Sequence, residues 1–203
     1  TFYGMRALLV LFLVDAVSNG GYGLDDKTAT AIYGLYTAAV FMAALPGGWI
    51  ADRLIGAQRA VLAGGGLMTV GNLMLAIPGP PALFFAGLVV IILGVGLLKP
   101  NISTLVAELY PEGGARRDAG FTIFYMGINL GAFIAPLIAG WLAQRYGWRV
   151  GFLAAAVGMP LGLLQFWWSR GLLGGAGAAP HRADGGSGLS RDWRILGAAV
   201  AAL

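Results

Sequence analysis

Residues 82–108, ALFFAGLVVIILGVGLLKPNISTLVAE, include 17 consecutive residues without a charge, from Ala82 to Leu98. A helix needs roughly 20 mostly apolar residues to cross the hydrocarbon core of a membrane. The segment is therefore predicted to be a transmembrane helix. It differs from an ordinary span because a lysine, a proline and an asparagine follow one another inside it, at Lys99, Pro100 and Asn101.

The composition of the whole chain extends this prediction. The 203 residues are 58% hydrophobic and only 11% charged, with 34 glycines and a mean hydropathy of +0.77. Soluble domains are about half apolar and about a quarter charged, so a soluble enzyme domain and a disordered chain are both excluded. With no cysteine, a disulfide scaffold, a thiol nucleophile and a Cys-ligated metal site are also excluded, and with one histidine a His-based metal site is not expected. An all-α, polytopic membrane protein remains.

Six spans are predicted, with the first truncated and a further helix beginning near the end of the chain. Residues 1–170 are expected to form one six-helix bundle, and the Gly-, Ala- and Ser-rich residues 171–190 a flexible linker. Residues 191–203 are expected to begin the next transmembrane helix. Both ends fall within apolar sequence, which indicates a piece of a longer chain. The predicted spans are 2–20, 29–52, 60–78, 82–108, 119–144 and 149–169.

The basic residues predict the orientation of the bundle. Eight lie in one set of alternate loops and three in the other, and cytoplasmic loops carry the excess of Lys and Arg. Loops 53–59, 109–118 and 170–194 are therefore expected in the cytoplasm. Because the charges are spread over separate loops, they give no nucleic-acid footprint. The larger set is Arg53, Arg59, Arg116, Arg117, Arg170, Arg182, Arg191 and Arg194, and the smaller is Lys27, Arg145 and Arg149.

An internal similarity suggests two copies of one unit. The run GWIADRLIG at 48–56 ends the second span, and GWLAQRYG at 140–147 ends the fifth. Spans 1–3 and 4–6 would then be repeats, and three helices per repeat give the copies opposite topology. Inverted repeats are typical of secondary transporters, whose substrate site lies near the midplane. Chance recurrence of a G-W-[IL]-A run in apolar helices is the alternative.

Two cations lie outside the loops. Lys99 is about ten residues from either end of its span, and a cation at that depth indicates function. Pro100 leaves the carbonyl of Gly96 without its helical partner, and Asn101 adds a polar group, as expected beside a wet cavity. Arg6 is either an interfacial anchor or, if its helix begins upstream, a second buried cation. Two such cations imply an anionic partner, either a substrate carboxylate or acidic residues elsewhere.

Other polar residues support less specific hypotheses. Asp52, Arg53 and Gly56 lie at a tight turn, where they either form an interhelical charge network that opens during transport or only set topology. Asp15 is interpreted as an interfacial residue. No phosphate-binding loop and no pair of nucleophile and base is present, so no enzyme is predicted.

Asn129 lies within the fifth span, where a buried amide needs a partner. Gly127 and Gly131 flank it at the spacing of close helix packing. An interhelical hydrogen bond and a ligand contact are equally compatible with this position.

The chain resembles the proton-dependent oligopeptide (peptide) transporter family of the major facilitator superfamily. The Asp52-Arg53 pair resembles the loop motif that follows the second helix of major facilitator transporters. Further motifs similar to this family cover all six spans. They are 47–71, which resembles its first signature, 121–133 (FTIFYMGINLGAF), which resembles its second, and 2–6 (FYGMR) and 98–101 (LKPN), which match its first and fourth helices.

The resemblance implies the amino-terminal half of a symporter that imports di- and tripeptides with protons across a bacterial inner membrane, without a cofactor. By that resemblance Arg6 and Lys99 hold the peptide carboxylate, while Tyr3 and Asn129 line the cavity. Phe41 stands where relatives carry tyrosine. Lys99 would also pair with acids of an E-x-x-E-R motif expected just before Thr1, and protonation would release it.

The expected partners are therefore peptides, protons, lipid and the carboxy-terminal six-helix bundle of the same chain. Two alternatives stay open at this point. One is a transporter of nitrate or another small anion on the same fold, and the other is a non-transporting membrane sensor.

Overall fold

The computed structural model describes residues 2–178, which contain helices and no strands. The predicted all-α membrane fold is confirmed, since α2 to α6 are each long and apolar enough to cross a membrane and α1 is a shorter apolar helix. Most of the predicted linker and all of 191–203 lie outside the described residues. The helices are α1 Phe2–Val14, α2 Asp26–Ile50, α3 Ala57–Ala76, α4 Pro81–Glu108, α5 Gly114–Tyr146 and α6 Trp148–Ser169.

Shorter turns follow three of these helices. A 3₁₀ turn at Val17–Asn19 follows α1, a π turn at Ala51–Ile55 extends α2, and a 3₁₀ turn at Arg170–Leu173 follows α6. The first helix ends at Val14, whereas the sequence predicted an end at residue 20. The 3₁₀ turn after it ends at Gly20, whose φ of 86° is the left-handed conformation that stops a helix.

The two similar runs form the same turn. Gly56 joins the π turn to α3 with φ 83° and ψ 153°, and Gly147 joins α5 to α6 with φ 97° and ψ 159°. This backbone conformation is accessible almost only to glycine. Equal turns at corresponding positions are what two copies of one three-helix unit require.

The pairing of helices follows the same symmetry. Helix α2 packs on α4, α5 packs on α1, and α3 packs on α6, so exchanging α1–α3 with α4–α6 leaves these pairs unchanged. Before the shared turn, residue numbers differ by 92 between the copies, as in Gly48 and Gly140, and one deletion in the second run makes the difference 91 at Gly56 and Gly147. A Cβ on Gly96 would lie 2.6 Å from the carbonyl oxygen of Ala43, and a Cβ on Gly4 would lie 3.0 Å from that of Ala135. These two contacts are related by the same offset of 92.

Glycines bring α3 and α4 into backbone contact. Gly64 lies against Gly94, and Gly71 lies against Gly87, so that a Cβ on any of the four would come within 2.9 Å of the opposite carbonyl oxygen. Small residues are how membrane helices approach closely when lipid is as apolar as the side chains. This interface fixes α4, the helix that carries Lys99.

Aromatic rings fill the end of the bundle where α1 ends and α6 begins. Phe12 contacts the rings of Phe84 and Phe152 at centroid distances of 4.9 and 5.3 Å. Beside them, the indole N–H of Trp148 donates to the Asp15 carboxylate at 2.6 Å. Hydrogen bonds from Asn19 and Trp148 lower the pKa of Asp15 below its ordinary value. Asp15, expected as an interfacial residue, thus fastens α1 to α6.

In contrast, α5 presents much of its surface outward. None of its most apolar 18-residue window is buried among the described residues. Gly127 and Gly131 have no atom within 4 Å of a Cβ placed on them. The packing role predicted for this glycine pair is therefore absent within residues 2–178, because no helix of that part covers this face.

Candidate functional site

Arg6 is held by aromatic side chains of α1 and α2. Its Nε donates to the Tyr33 hydroxyl at 3.1 Å, and its Nη2 donates to the same oxygen. The guanidinium carbon also lies 5.3 Å from the Phe2 ring centroid and 5.2 Å from that of Tyr33. The neighbouring Tyr3 is 40% exposed and its ring contacts Phe2. Arg6 is half-buried, and contacts with Phe2 and Tyr33 orient its guanidinium. Part of its N–H donors remains available for a ligand.

Lys99 lies over the ring of Phe41, an aromatic residue of α2 that the sequence singled out. Its ammonium nitrogen is 4.6 Å from the Phe41 ring centroid, within the range of a cation–π contact. Both side chains are exposed, Phe41 by 59%. Lys99 is far from both ends of α4, as predicted, and its side chain is exposed within residues 2–178. An exposed cation at that depth is compatible with the expected wet cavity.

A close approach of α2 and α4 fixes this contact. A Cβ on Gly47 would lie 2.0 Å from the carbonyl oxygen of Gly96, so the two backbones touch. Asn101 is 1% exposed, and its amide nitrogen donates to the carbonyls of Gly47 at 3.2 Å and Leu97 at 2.6 Å. The expectation that Asn101 faces a wet cavity is therefore wrong. It joins two helices next to Pro100, which α4 accommodates without a break.

Both cations are held by one face of α2. Tyr33 and Phe41 are eight residues apart, about 12 Å along the helix axis, and Thr37 lies midway between them. The Thr37 hydroxyl is buried and has no hydrogen-bond partner within residues 2–178. Tyr33 and Thr37 were missed from sequence, although their i, i+4 and i+8 spacing with Phe41 would have placed them on its face.

The offset of 92 relates this face to a second one on α5. Tyr33, Thr37 and Phe41 correspond to Tyr125, Asn129 and Phe133. The α5 side chains are all exposed, Tyr125 by 54% and Phe133 by 68%. Of the two roles considered for Asn129, an interhelical hydrogen bond is not formed within the described part of the chain. The exposed position is compatible with a ligand contact.

Three of the predicted gating and structural residues lie together just after the carboxy-terminal end of α2. Asp52 lies in the π turn next to Arg53, and Gly56 follows the turn. Asp52 lines a groove of about 1000 Å³ with Glu108 of α4 and Arg117 of α5. Acidic and basic side chains of the π turn, α4 and α5 therefore line one groove. The charge network expected from sequence stays a prediction. No group of three metal-ligating side chains occurs among residues 2–178.

Comparison with known proteins gives consistent matches over this chain. The family model described as the POT family matches residues 58–174. The peptide transporter YePEPT of Yersinia enterocolitica is 47% identical over 195 residues, covering 95% of this chain and 37% of that protein. A di-/tripeptide transporter of Lactococcus lactis is 46% identical over 172 residues, covering 84% and 35%. A crystal structure of a peptide transporter POT in complex with sulfate matches with a TM-score of 0.90 at 48% identity, over 99% and 42%.

Six packed helices, five of them long and apolar enough to cross a membrane, define a multi-pass helical membrane protein. The chain belongs to the POT family, whose model matches more than half of it, and it spans about a third of the length of these curated relatives. The resemblance stated from sequence is confirmed. Since members of the family are transport proteins, the prediction that this chain is not an enzyme is confirmed as well.

Proposed function

We propose that this chain is the amino-terminal half of a proton-coupled symporter that imports di- and tripeptides by alternating access. The observation that carries the proposal is that Arg6 of α1 and Lys99 of α4 both contact the same face of α2. Each is held by an aromatic ring and not by a carboxylate within residues 2–178. Both positive charges are therefore open to an anionic ligand, for which the carboxylate end of a peptide is the natural group.

The two cations would bind a carboxylate differently. A guanidinium binds a carboxylate through two parallel hydrogen bonds, whereas an ammonium acts as a point charge. Arg6 is accordingly proposed to hold the carboxylate, with Lys99 contributing charge and Tyr3, Phe41 and Asn129 lining the site.

Proton coupling is assigned to Lys99. In the proposed cycle an acidic residue of an E-x-x-E-R motif pairs with Lys99, and its protonation frees the ammonium for the substrate. The Phe41 ring, which has no hydroxyl, provides a position where Lys99 rests without an acid. Differential binding of peptide and proton to the two states then biases the rocking of the bundle. Protons are the coupling ion and no cofactor is involved.

The same proposal accounts for the uncovered faces. We place a carboxy-terminal six-helix bundle of the same full-length protein against the open face of α5, with lipid around the remaining apolar surface. Loops 53–59, 109–118 and 170–194 are placed in the cytoplasm of a bacterium, according to the excess of basic residues. Asp52, Arg53, Gly56 and Pro100 are the proposed gating and structural positions.

The substitution Lys99→Ala in the full-length transporter tests the assignment. Proton-driven uptake of a labelled dipeptide into proteoliposomes is expected to fall at least tenfold, since one unit of binding and coupling charge is lost. Lys27→Ala is the matched control, because Lys27 is an exposed lysine at the start of α2. Uptake in the Lys99 variant equal to that in the control would overturn the proposal.

The anion alternative is supported by the same pair of cations and is separated by competition. Unlabelled di- and tripeptides are expected to block dipeptide uptake, whereas nitrate is expected to leave it unchanged. Inhibition by nitrate together with no effect of peptides would favour an anion transporter. Absence of any uptake in the wild-type protein would favour a sensor.

A further inference from the structure

The segment after α6 is folded back onto the bundle. A 3₁₀ turn at Arg170–Leu173 is followed by Gly174, Gly175 and Gly177, which all have positive φ. Two turn hydrogen bonds, from Ala176 N–H to the Leu173 carbonyl and from Ala178 N–H to the Gly175 carbonyl, close the segment. Residues 171–178, predicted as the beginning of a flexible linker, therefore have a defined path. We call residues 170–178 the return segment.

Three hydrogen bonds attach the return segment to α3 and α4. The Gly177 N–H donates to the Glu108 carboxylate at 2.6 Å, at the end of α4. At the start of α3, the Gln58 amide nitrogen donates to the Ala176 carbonyl at 2.6 Å, and the Gln58 N–H donates to the Gly177 carbonyl at 3.0 Å. Gln58 is only 8% exposed. A buried side-chain amide and a charged acceptor thus fix two consecutive residues of the segment.

The seat for the segment admits only small residues. A Cβ on Gly177 would lie 2.3 Å from a methyl group of Leu105 and 3.0 Å from the Cβ of Ala57. A Cβ on Gly56 would lie 3.0 Å from the Gly177 carbonyl oxygen. Both glycines also have positive φ. The fit on both sides shows a shaped contact and not a loop resting on a surface.

We propose that the return segment is a conformational latch that fastens the exit of α6 to α3 and α4, so that the chain leading to the second bundle departs from α4. This inference rests on the proposed function. Glu108 is nine residues from Lys99 on α4, about 14 Å along the helix. With the latch closed, movement of the connection is transmitted to α4, the helix that carries the proposed substrate-binding residue Lys99. With the latch open, nine more residues of slack separate the two bundles.

A single reporter cysteine measures whether the latch is closed. The described chain has no cysteine, and any other cysteine of the full-length transporter is replaced before Ala176→Cys is introduced. Glu108→Gln is expected to raise the rate of maleimide labelling at this position about fivefold, the factor for replacing a charge-assisted hydrogen bond by a neutral one. Glu112→Gln, at an exposed acid in the following loop, is the matched control and is expected to label at the parent rate.

A second variant and a transport measurement complete the test. Gly177→Ala is expected to raise labelling as well, because the added methyl group meets Leu105. Unchanged labelling in both variants would overturn the latch. Glu108→Gln is expected to lower the maximal rate of dipeptide uptake several-fold with little change in KM, and unchanged uptake despite faster labelling would overturn the coupling. Labelling is measurable without transport, so a failure of the proposed function is recognised separately by absent uptake in the parent protein.

Discussion

Gly47 and Gly48 are adjacent in α2, and the structure predicts opposite effects of replacing them with alanine. A Cβ on Gly47 would lie 2.0 Å from the carbonyl oxygen of Gly96, which is backbone and cannot rotate away. A Cβ on Gly48 would meet only the Cβ of Pro100, at the ordinary distance of 3.9 Å. The pair therefore separates close packing of α2 on α4 from the general preference of helices for alanine.

The magnitude follows from three contributions. Overpacking of a tight interface costs about 1–3 kcal/mol, and separation of the helices also breaks the Asn101 hydrogen bond to Gly47, worth about 1 kcal/mol. Alanine in place of glycine in a helix offsets about 0.5–1 kcal/mol. Gly47→Ala is therefore expected to destabilise by about 1–3.5 kcal/mol, centred near 2 kcal/mol, whereas Gly48→Ala keeps only the favourable contribution of about 0.5–1 kcal/mol.

Thermal unfolding of the detergent-solubilised protein is the assay. For a domain of 150–250 residues each kcal/mol shifts the midpoint by about 2–4 °C, so Gly47→Ala should lower it by about 5–10 °C. Gly48→Ala should leave the midpoint equal or slightly higher. Because Gly47 lies between the elements that carry Phe41 and Lys99, the first variant should also lose uptake of dipeptide. Equal midpoints for the two variants would refute the backbone contact between α2 and α4.

Two further predictions concern hydroxyl and carboxylate partners. Tyr33→Phe is expected to raise KM for a dipeptide about tenfold in uptake assays, because Arg6 loses a charged hydrogen bond worth about 1.5 kcal/mol. The control Tyr36→Phe should leave KM unchanged, since that buried hydroxyl has no partner within residues 2–178. Equal KM values for the two variants would contradict the role of Tyr33. Asp15→Asn is expected to lower the unfolding midpoint at neutral pH. The pKa of Asp15 lies below its ordinary value of 3.8 because hydrogen bonds from Asn19 and Trp148 favour the carboxylate. Its stabilisation is thus complete above that value and lost as pH falls through the lowered pKa. The two midpoints should therefore converge as the solution is acidified, and a constant difference would contradict this explanation.

The fold was predictable because the relevant signals are local. Apolar length identified the spans, and the predicted span 82–108 differs by one residue from α4. The similarity of 48–56 and 140–147 predicted the repeat, since both runs contain the glycine that the shared turn needs. The end of α1 was placed six residues too far, although Asp15, Ser18 and Asn19 are polar, and the 3₁₀ turn with Gly20 after it follows the helix.

The surroundings of the candidate site residues were not predictable from the sequence. It singled out Arg6, Phe41 and Lys99, but composition does not show which face of a helix meets another helix. Asn101 was therefore expected beside the cavity, although it lies between α2 and α4. Likewise, the glycine-rich stretch after α6 suggested flexibility, although its glycines allow a close fit against Leu105 and Ala57. Such contacts depend on tertiary approach, which spacing along one chain does not encode.

The repeat symmetry applies to the packing of the helices but not to the positions of the two cations, Arg6 and Lys99. By the offset of 92, Arg6 of α1 corresponds to Leu98 of α4, and Lys99 of α4 corresponds to Ala7 of α1. Each copy thus supplies one cation, at neighbouring positions of the unit, while the aromatic residues of α2 and α5 correspond directly. A fully symmetric site would hold a ligand equally well in two opposite orientations. Because the guanidinium and the ammonium lie at different positions of the unit, the proposed peptide substrate would have one preferred place for its carboxylate end, although the scaffold is symmetric.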